Sequence, residues 1–305
     1  MGNIYTGSNF LIEFGSETSF NAGSGLAYGT LGAGMKLSTY EIKNNFEPVY
    51  TLGQRTPEAW YSKGVSVDVS SDFYLTEDTA ESAGWLDYVL TGASPNTDGY
   101  NTSWSAGLTV ATGFTNIQSY FTSYDMYSVS GILFDSAKLD VKQGAIAQVT
   151  LTGTGTQETT TAPTSSLNLT PPSQVLTWKD ATVQIGSTLA GFSTPIQELD
   201  MTISTNKELL YGLGQLTYKG YYIKQFKVEG TLSVYHDSDI LGTIFEADNA
   251  ATQVTLADQL QLVIGDYTFT IAGMVRNEGS MEVPPVDEVV DKLSFEGTSM
   301  TVAYA

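Results

Sequence analysis

One stretch of this sequence occurs twice, and the repetition constrains the fold more than any single motif. Ile42 to Tyr74 aligns without a gap on Ile203 to Tyr235, at an offset of 161 residues, and 12 of the 33 paired positions are identical. Composition alone would give about two. The densest run is Asn45-x-Glu47-x-x-Tyr50-x-Leu52-Gly53-Gln54-x-Thr56 against Asn206-x-Glu208-x-x-Tyr211-x-Leu213-Gly214-Gln215-x-Thr217. Tyr61-x-Lys63 against Tyr222-x-Lys224 follows it. Solenoid repeats span about 20–50 residues, so a period this long predicts two tandem domains. The 305 residues suffice for each to bury a core of its own.

The repeated segments alternate apolar and polar residues. Val65-Ser66-Val67-Asp68-Val69-Ser70 and Phe226 to Val234 have a period of two, which sets one face of a strand on a core and the other in water. Further on, Tyr127 to Gly131 matches Phe269 to Gly273, and Val149 to Thr154 matches Leu293 to Thr298. The duplication therefore extends over whole domains. Each copy also predicts one short helix. Asp78 and Glu81 resemble a capping box, with Ala83, Leu86 and Leu90 at helical spacing up to Gly92; Ser238 caps Ile240, Leu241, Ile244 and Phe245 in the second copy. The fold class expected is mainly β: two antiparallel β-sandwich or half-barrel domains, each with one short helix. Residues 1–154 form the first domain and 174–305 the second. The Thr/Ser/Pro-rich stretch 155–173 is read as a linker, since it has few apolar residues to pack.

Thirty-three acidic against 13 basic residues give a net charge of −20. That excludes a protein gripping nucleic acid through its phosphates, but not a surface past which DNA slides. No cysteine is present, so disulfides, thiolate catalysis and Cys-based zinc sites are excluded. The start Met-Gly-Asn-Ile-Tyr has neither the basic residues nor the apolar run of a signal peptide, and folding in the cytoplasm with no membrane partner is expected.

Little in the chain points to catalysis. The single histidine, His236, stands beside Asp237 and Asp239 after a strand and reads as a turn residue. The glycine runs 23–25 and 29–34 match neither dinucleotide nor P-loop spacing. No catalytic residue, metal ligand or cofactor is expected. The polar pattern that does occur twice is Asn45, Glu47, Tyr50 and Gln54 against Asn206, Glu208, Tyr211 and Gln215. A building block with quasi-equivalent contacts needs the same contact residues in each copy, so these eight are the candidate subunit or domain contacts.

These residues give the chain its resemblance to the tail tube proteins of long-tailed bacterial and archaeal viruses. It is carried by Trp178-Lys179-Asp180-Ala181-Thr182-Val183, by Leu199 to Asn206 leading into Tyr211 to Gln215, and by the strand Phe226 to Tyr235; Tyr40 to Asn45 leading into Tyr50 to Gln54 repeats it. The resemblance implies sheets that join around a ring into a β-barrel lining a channel for DNA. With two domains per chain, it implies trimeric rings of pseudo-six-fold symmetry stacked into a tube of the virion tail, assembled in the host cytoplasm. Its partners would be further copies of itself, other tail proteins such as the tape measure, terminator and baseplate, and viral DNA passing without specific binding. Asp68, Asp72, Lys227 and Glu229 alternate with core positions and would line that channel. A baseplate ring component and a surface carbohydrate-binding β-sandwich stay open as alternatives.

Overall fold

The computed structural model describes residues 10–16, 32–77, 90–91, 94–95, 105–112, 126–161, 174–185, 190–191, 196–216, 218–224, 226–236, 259–282 and 289–304. Nine strands come from the first half: β1 Phe10–Ser16, β2 Ala33–Val49, β3 Ala59–Tyr74, β4 Leu90–Thr91, β5 Ser94–Pro95, β6 Ser105–Thr112, β7 Met126–Lys142, β8 Gln148–Gly155 and β9 Gln157–Thr161. Eleven follow: β10 Ala181–Ile185, β11 Ala190–Gly191, β12 Ile196–Ser204, β13 Lys207–Tyr211, β14 Tyr218–Ile223, β15 Lys227–Tyr235, β16 Gln259–Ile264, β17 Tyr267–Ala272, β18 Val275–Glu282, β19 Val290–Gly297 and β20 Ser299–Tyr304. The protein is mainly β, and every described strand pair is antiparallel.

The sequence repeat reappears as a repeat of strand register. Ile42 faces Val67 across β2–β3, and Ile203 faces Val228 across β12–β15, again 161 residues on. Glu47 faces Tyr61 as Glu208 faces Tyr222. In the C-terminal part of each half the offset is 142. Leu133 faces Thr154 as Val275 faces Glu296, and the register shift between Phe134 and Ser136 recurs between Arg276 and Glu278. This corrects one strand of the sequence alignment. Val67 faces Gly155 as Val228 faces Gly297, so Gly155, rather than Gly153, is the partner of Gly297. A two-residue slip preserves the alternation of faces, and periodicity alone could not detect it.

The main sheet runs β18-β19-β15-β12-β7-β8-β3-β2. By the register, β7, β8, β3 and β2 are the counterparts of β18, β19, β15 and β12, so the same four-strand order occurs twice in succession. A second layer pairs β1 with β6, β6 with β7 and β7 with β9 in the first half; β10-β16-β17-β20 repeats it in the second. β7 serves both layers of its half by running on through Gly131. Its counterparts β17 and β18 are separate strands on either side of Gly273.

Apolar residues of the alternating strands meet between the layers. Phe73, Phe134, Tyr267, Phe269 and Phe295 are fully buried, worth about 1.5–3 kcal/mol each relative to exposure. The cluster is continuous across both halves, because pairing of β12 with β7 sets Leu199, Met201 and Ile203 level with Val141, Leu139 and Ala137. Two separate cores were expected, and the shared sheet fuses them.

Two further expectations are corrected. Gln157–Thr161, assigned to the linker, is the strand β9 on β7; its run of β-branched threonines suits an extended chain. Leu90 does not end a helix but pairs with Pro95, close to Gly92, a poor helix former. The rest of both expected helices, and residues 162–173, lie outside the described residues.

Candidate functional site

The repeated polar run forms two hairpin arms. In the first, β2 and β3 continue past the sheet to a turn in which Gln54 N–H donates to the Thr51 carbonyl at 3.0 Å. In the second, β13 and β14 close on the matching bond from Gln215 N–H to the Gly212 carbonyl, 3.2 Å. Gly53 and Gly214 have φ of +89° and +75°, a conformation only glycine adopts freely. Leu52 and Leu213 stand fully exposed beside them. Glu47 pairs with Lys63 at 2.8 Å, and Glu208 pairs with Lys224 and accepts from the Tyr222 hydroxyl at 2.5 Å. Those two bonds hold the Glu208 carboxyl below the usual carboxylate range, the Lys224 contact most strongly. Both glutamates thus brace their own arms. The matched pairs Glu47/Lys63 and Glu208/Lys224 already signalled this, since acid and base recur together at one spacing.

The arms differ in what covers them. The first is exposed along Phe46, Val49, Tyr50, Leu52, Trp60 and Tyr61. The second leaves the sheet at Thr205 and Asn206, where Asn206 takes φ +46° and Thr205 N–H donates to the Asp135 carbonyl at 2.8 Å. It then lies against the base of the first. Val65 N–H donates to the Leu216 carbonyl at 3.0 Å. The Tyr211 ring occupies the space in front of Gly64, whose φ is +142° and where an added Cβ would sit 2.4 Å from that ring. Tyr218 packs on Tyr211 with ring centroids 4.3 Å apart. Burial, reinforced by the Tyr211 hydroxyl, pushes the Tyr218 phenol well above its ordinary range, with Ser66 hydrogen-bonded to it.

A cleft of about 340 Å³ remains between arm and sheet, lined among others by Lys43, Asp68, Asp135, Lys207, Glu208 and Tyr211. It joins residues assigned separately from sequence: Glu208 and Tyr211 as contacts, Asp68 as channel lining. It also contains two that the sequence reading missed. Lys207 is only half-buried as a residue, yet desolvation of its amine lowers the pKa to about 7, partly offset by Asp135. Asp135 is raised by burial, and its Oδ1 is buried with no hydrogen-bond partner among the described residues. A lysine standing where the first arm has Phe46 was the available signal.

The main sheet's face away from the core is a lattice of charges. Lys36 pairs with Asp72 (3.5 Å), Lys43 with Asp68 and Glu41, and Lys138 with Asp200 (2.5 Å). Lys142 pairs with Glu198 (3.6 Å), Lys227 with Glu229 (2.6 Å) and Glu296 (3.5 Å), and Lys292 with Glu282 (2.7 Å). Acids outnumber lysines, and Asp140, facing Asp200 across β7–β12, is raised by burial and further by that neighbour. All four expected channel residues share this face. Asp72 is the least open, at 12% side-chain exposure, because Thr150 donates to it at 2.7 Å and Lys36 lies over it.

Elsewhere, His236 Nδ1 lies 2.8 Å from the carboxylate of Asp291, itself 2% exposed, a partner far outside the turn in which the sequence set it. Among the described residues, no group of three or more His, Cys, Asp or Glu could hold a metal ion, and no helix is long and apolar enough to cross a membrane.

A family model described as "Phage tail tube protein" matches residues 19–301, nearly the whole chain. No curated protein matches it.

Proposed function

The chain belongs to the phage tail tube protein family, a family of structural proteins of the virion tail, and from that premise we propose that it forms rings by pairing sheet edges head to tail. The strand order carries this reading. Within one chain the second four-strand unit joins the first through β12 and β7, leaving β2 and β18 as the two ends of the path. β2 is the counterpart of β12, and β18 that of β7. Pairing of β2 with β18 of the next copy therefore repeats an interface the chain already makes in cis. Such a heterologous contact closes into a ring when its rotation divides a full turn.

Three chains, each giving eight strands along the path, would close a barrel about 48 Å across at the backbone, for strands about 4.8 Å apart and tilted about 40°. Six four-strand units give it pseudo-six-fold symmetry, and the two domains of each chain are the units 1–154, extended through β9, and 174–305. The charged face then looks into the lumen, with Asp68, Asp72, Lys227 and Glu229 among its lining. Duplex DNA carries one charge per roughly 1.7 Å of axis. An acidic surface with each lysine already paired offers it no basic track to bind, so the genome passes along a hydrated wall. The arms, through Asn45, Glu47, Tyr50 and Gln54 and through Asn206, Glu208, Tyr211 and Gln215, supply contacts between units. Rings stack into the tail tube in the host cytoplasm, meeting tape measure, terminator and baseplate proteins at its ends.

Electron microscopy of the purified protein at high concentration, with and without an assembly initiator, tests this. Stacked rings of three chains are expected; monomers alone under both conditions would overturn it. Changing Asp68, Asp72 and Glu229 to Lys should slow genome ejection, and unchanged ejection would remove the lumen assignment.

A further inference from the structure

The second arm marks where an arm of this kind can land. It springs from the seam strand β12 and reaches the neighbouring unit at the base of the other arm, held by Val65–Leu216, Tyr211 over Gly64 and Tyr218 on Ser66. The first arm shares its register and turn, and springs from β2, the strand at the open end of the path. Its apolar residues have no such cover: Phe46, Tyr50, Trp60 and Tyr61 are each more than half exposed.

We propose that the first arm docks in trans, on the base of the second arm of the adjacent copy of this chain, so that each arm in a ring leans on the base of the next. The proposal rests on the edge pairing of β2 with β18. Once that seam forms, the first arm stands to β18, β19 and β15 of its neighbour as the second arm stands to β7, β8 and β3 within one chain. Carried over by register, the Arg55 carbonyl takes the place of Leu216 and Phe226 N–H that of Val65. Arg55 is exposed, and it arrives where Lys227, Glu229 and Glu296 form an acid-rich cluster. Phe46 takes the place of Lys207, which puts an aromatic ring in trans where the contact in cis has an amine. The repeat aligns Gly64 with Gln225 rather than with a glycine, so Tyr50 has no glycine to lie over and the arm in trans is the looser of the two.

The chain has no cysteine, so introduced pairs report without background. Three double variants of the full-length protein are oxidised under assembly conditions: Glu41→Cys with Ser280→Cys for the seam, Arg55→Cys with Phe226→Cys for the arm in trans, and Val65→Cys with Leu216→Cys as the control in cis. The expected result is chain-to-chain cross-links from the first two and a link within one chain from the third. Seam links without arm links would overturn the proposal and leave the ring reading intact; neither link would overturn both. Phe226 is half-buried, so Arg55→Glu, at an exposed position, provides a second readout. It should raise the concentration for half-assembly about tenfold, with the melting temperature of the monomer unchanged. An unchanged assembly threshold would also count against the trans contact.

Discussion

The two arms are the same hairpin in two situations. They share register, turn, exposed tip leucine and bracing ion pair. Yet one continues from its sheet on the same two strands with its aromatic residues in water, while the other leaves at Asn206, where φ is +46°, and lies against the first half of the chain. What differs is the neighbour. The strand that feeds the second arm is paired with β7, which brings a surface within reach; the strand that feeds the first ends the sheet. In the proposed ring, the first arm gains such a neighbour only when a second copy pairs with β2.

The largest expected effect separates the arms completely. Replacing Phe46 and Leu52 together by Asp should abolish assembly while the monomer melts as before, since both side chains already face solvent. Loss of monomer stability in that variant would mean that the first arm is covered in cis after all.

Next in size is the docking of the second arm. Gly64→Ala introduces a Cβ where the Tyr211 ring lies and strains a φ of +142°; it should cost about 1–3 kcal/mol in denaturant unfolding. Tyr211→Ala, at a side chain still 43% exposed, should cost about 2 kcal/mol, below the full range for a buried aromatic. Tyr50→Ala should change monomer stability by less than about 0.5 kcal/mol. Equal costs for the two tyrosines would erase the distinction between the arms.

The pH response should belong to the second arm alone. The Lys207 pKa is lowered to about 7 from its ordinary 10.5, so between those values the unfolded or undocked chain binds more protons than the docked one. Docking therefore strengthens as pH rises from 7 toward 10, and below 7, where the amine is protonated in both states, it levels off at its weakest. A fluorophore on Leu213→Cys should become less mobile over that rise, and Lys207→Met should flatten the response. A label on Leu52→Cys should show no such change in the monomer. Smallest of all, Glu47→Gln and Glu208→Gln remove exposed ion pairs from either arm and should leave the melting temperature nearly unchanged, with a mild loss of assembly from each.

Much of this is legible in the sequence itself. Alternation in Val65–Ser70 and Phe226–Val234 gave the strands and their buried faces, because a period of two admits no other arrangement. The offset of 161 gave both arms and their turns. Three things were beyond its reach for physical reasons. A two-residue slip leaves every face unchanged, so the true partner of Gly297 was hidden. β9 is Gln-Glu followed by three threonines, with little hydrophobic signature, and its strand character comes from pairing with β7. The cleft of Lys207 and Asp135 joins residues from different halves, and sequence separation says nothing of which halves touch. The exposed positions of Asn45, Glu47, Tyr50 and Gln54 were legible as a pattern, but the difference between the arms arises only from strand order.

The central claim is that β2 of one chain continues the sheet into β18 of the next. A cryo-electron microscopy map of the assembled tube at side-chain resolution tests it most directly. The account predicts antiparallel pairing with Glu41 opposite Ser280 and Lys43 opposite Glu278, repeating the register of Thr202 with Lys138 and Ser204 with Ser136. A β2 edge left unpaired, or paired with β2 of another copy, would contradict it.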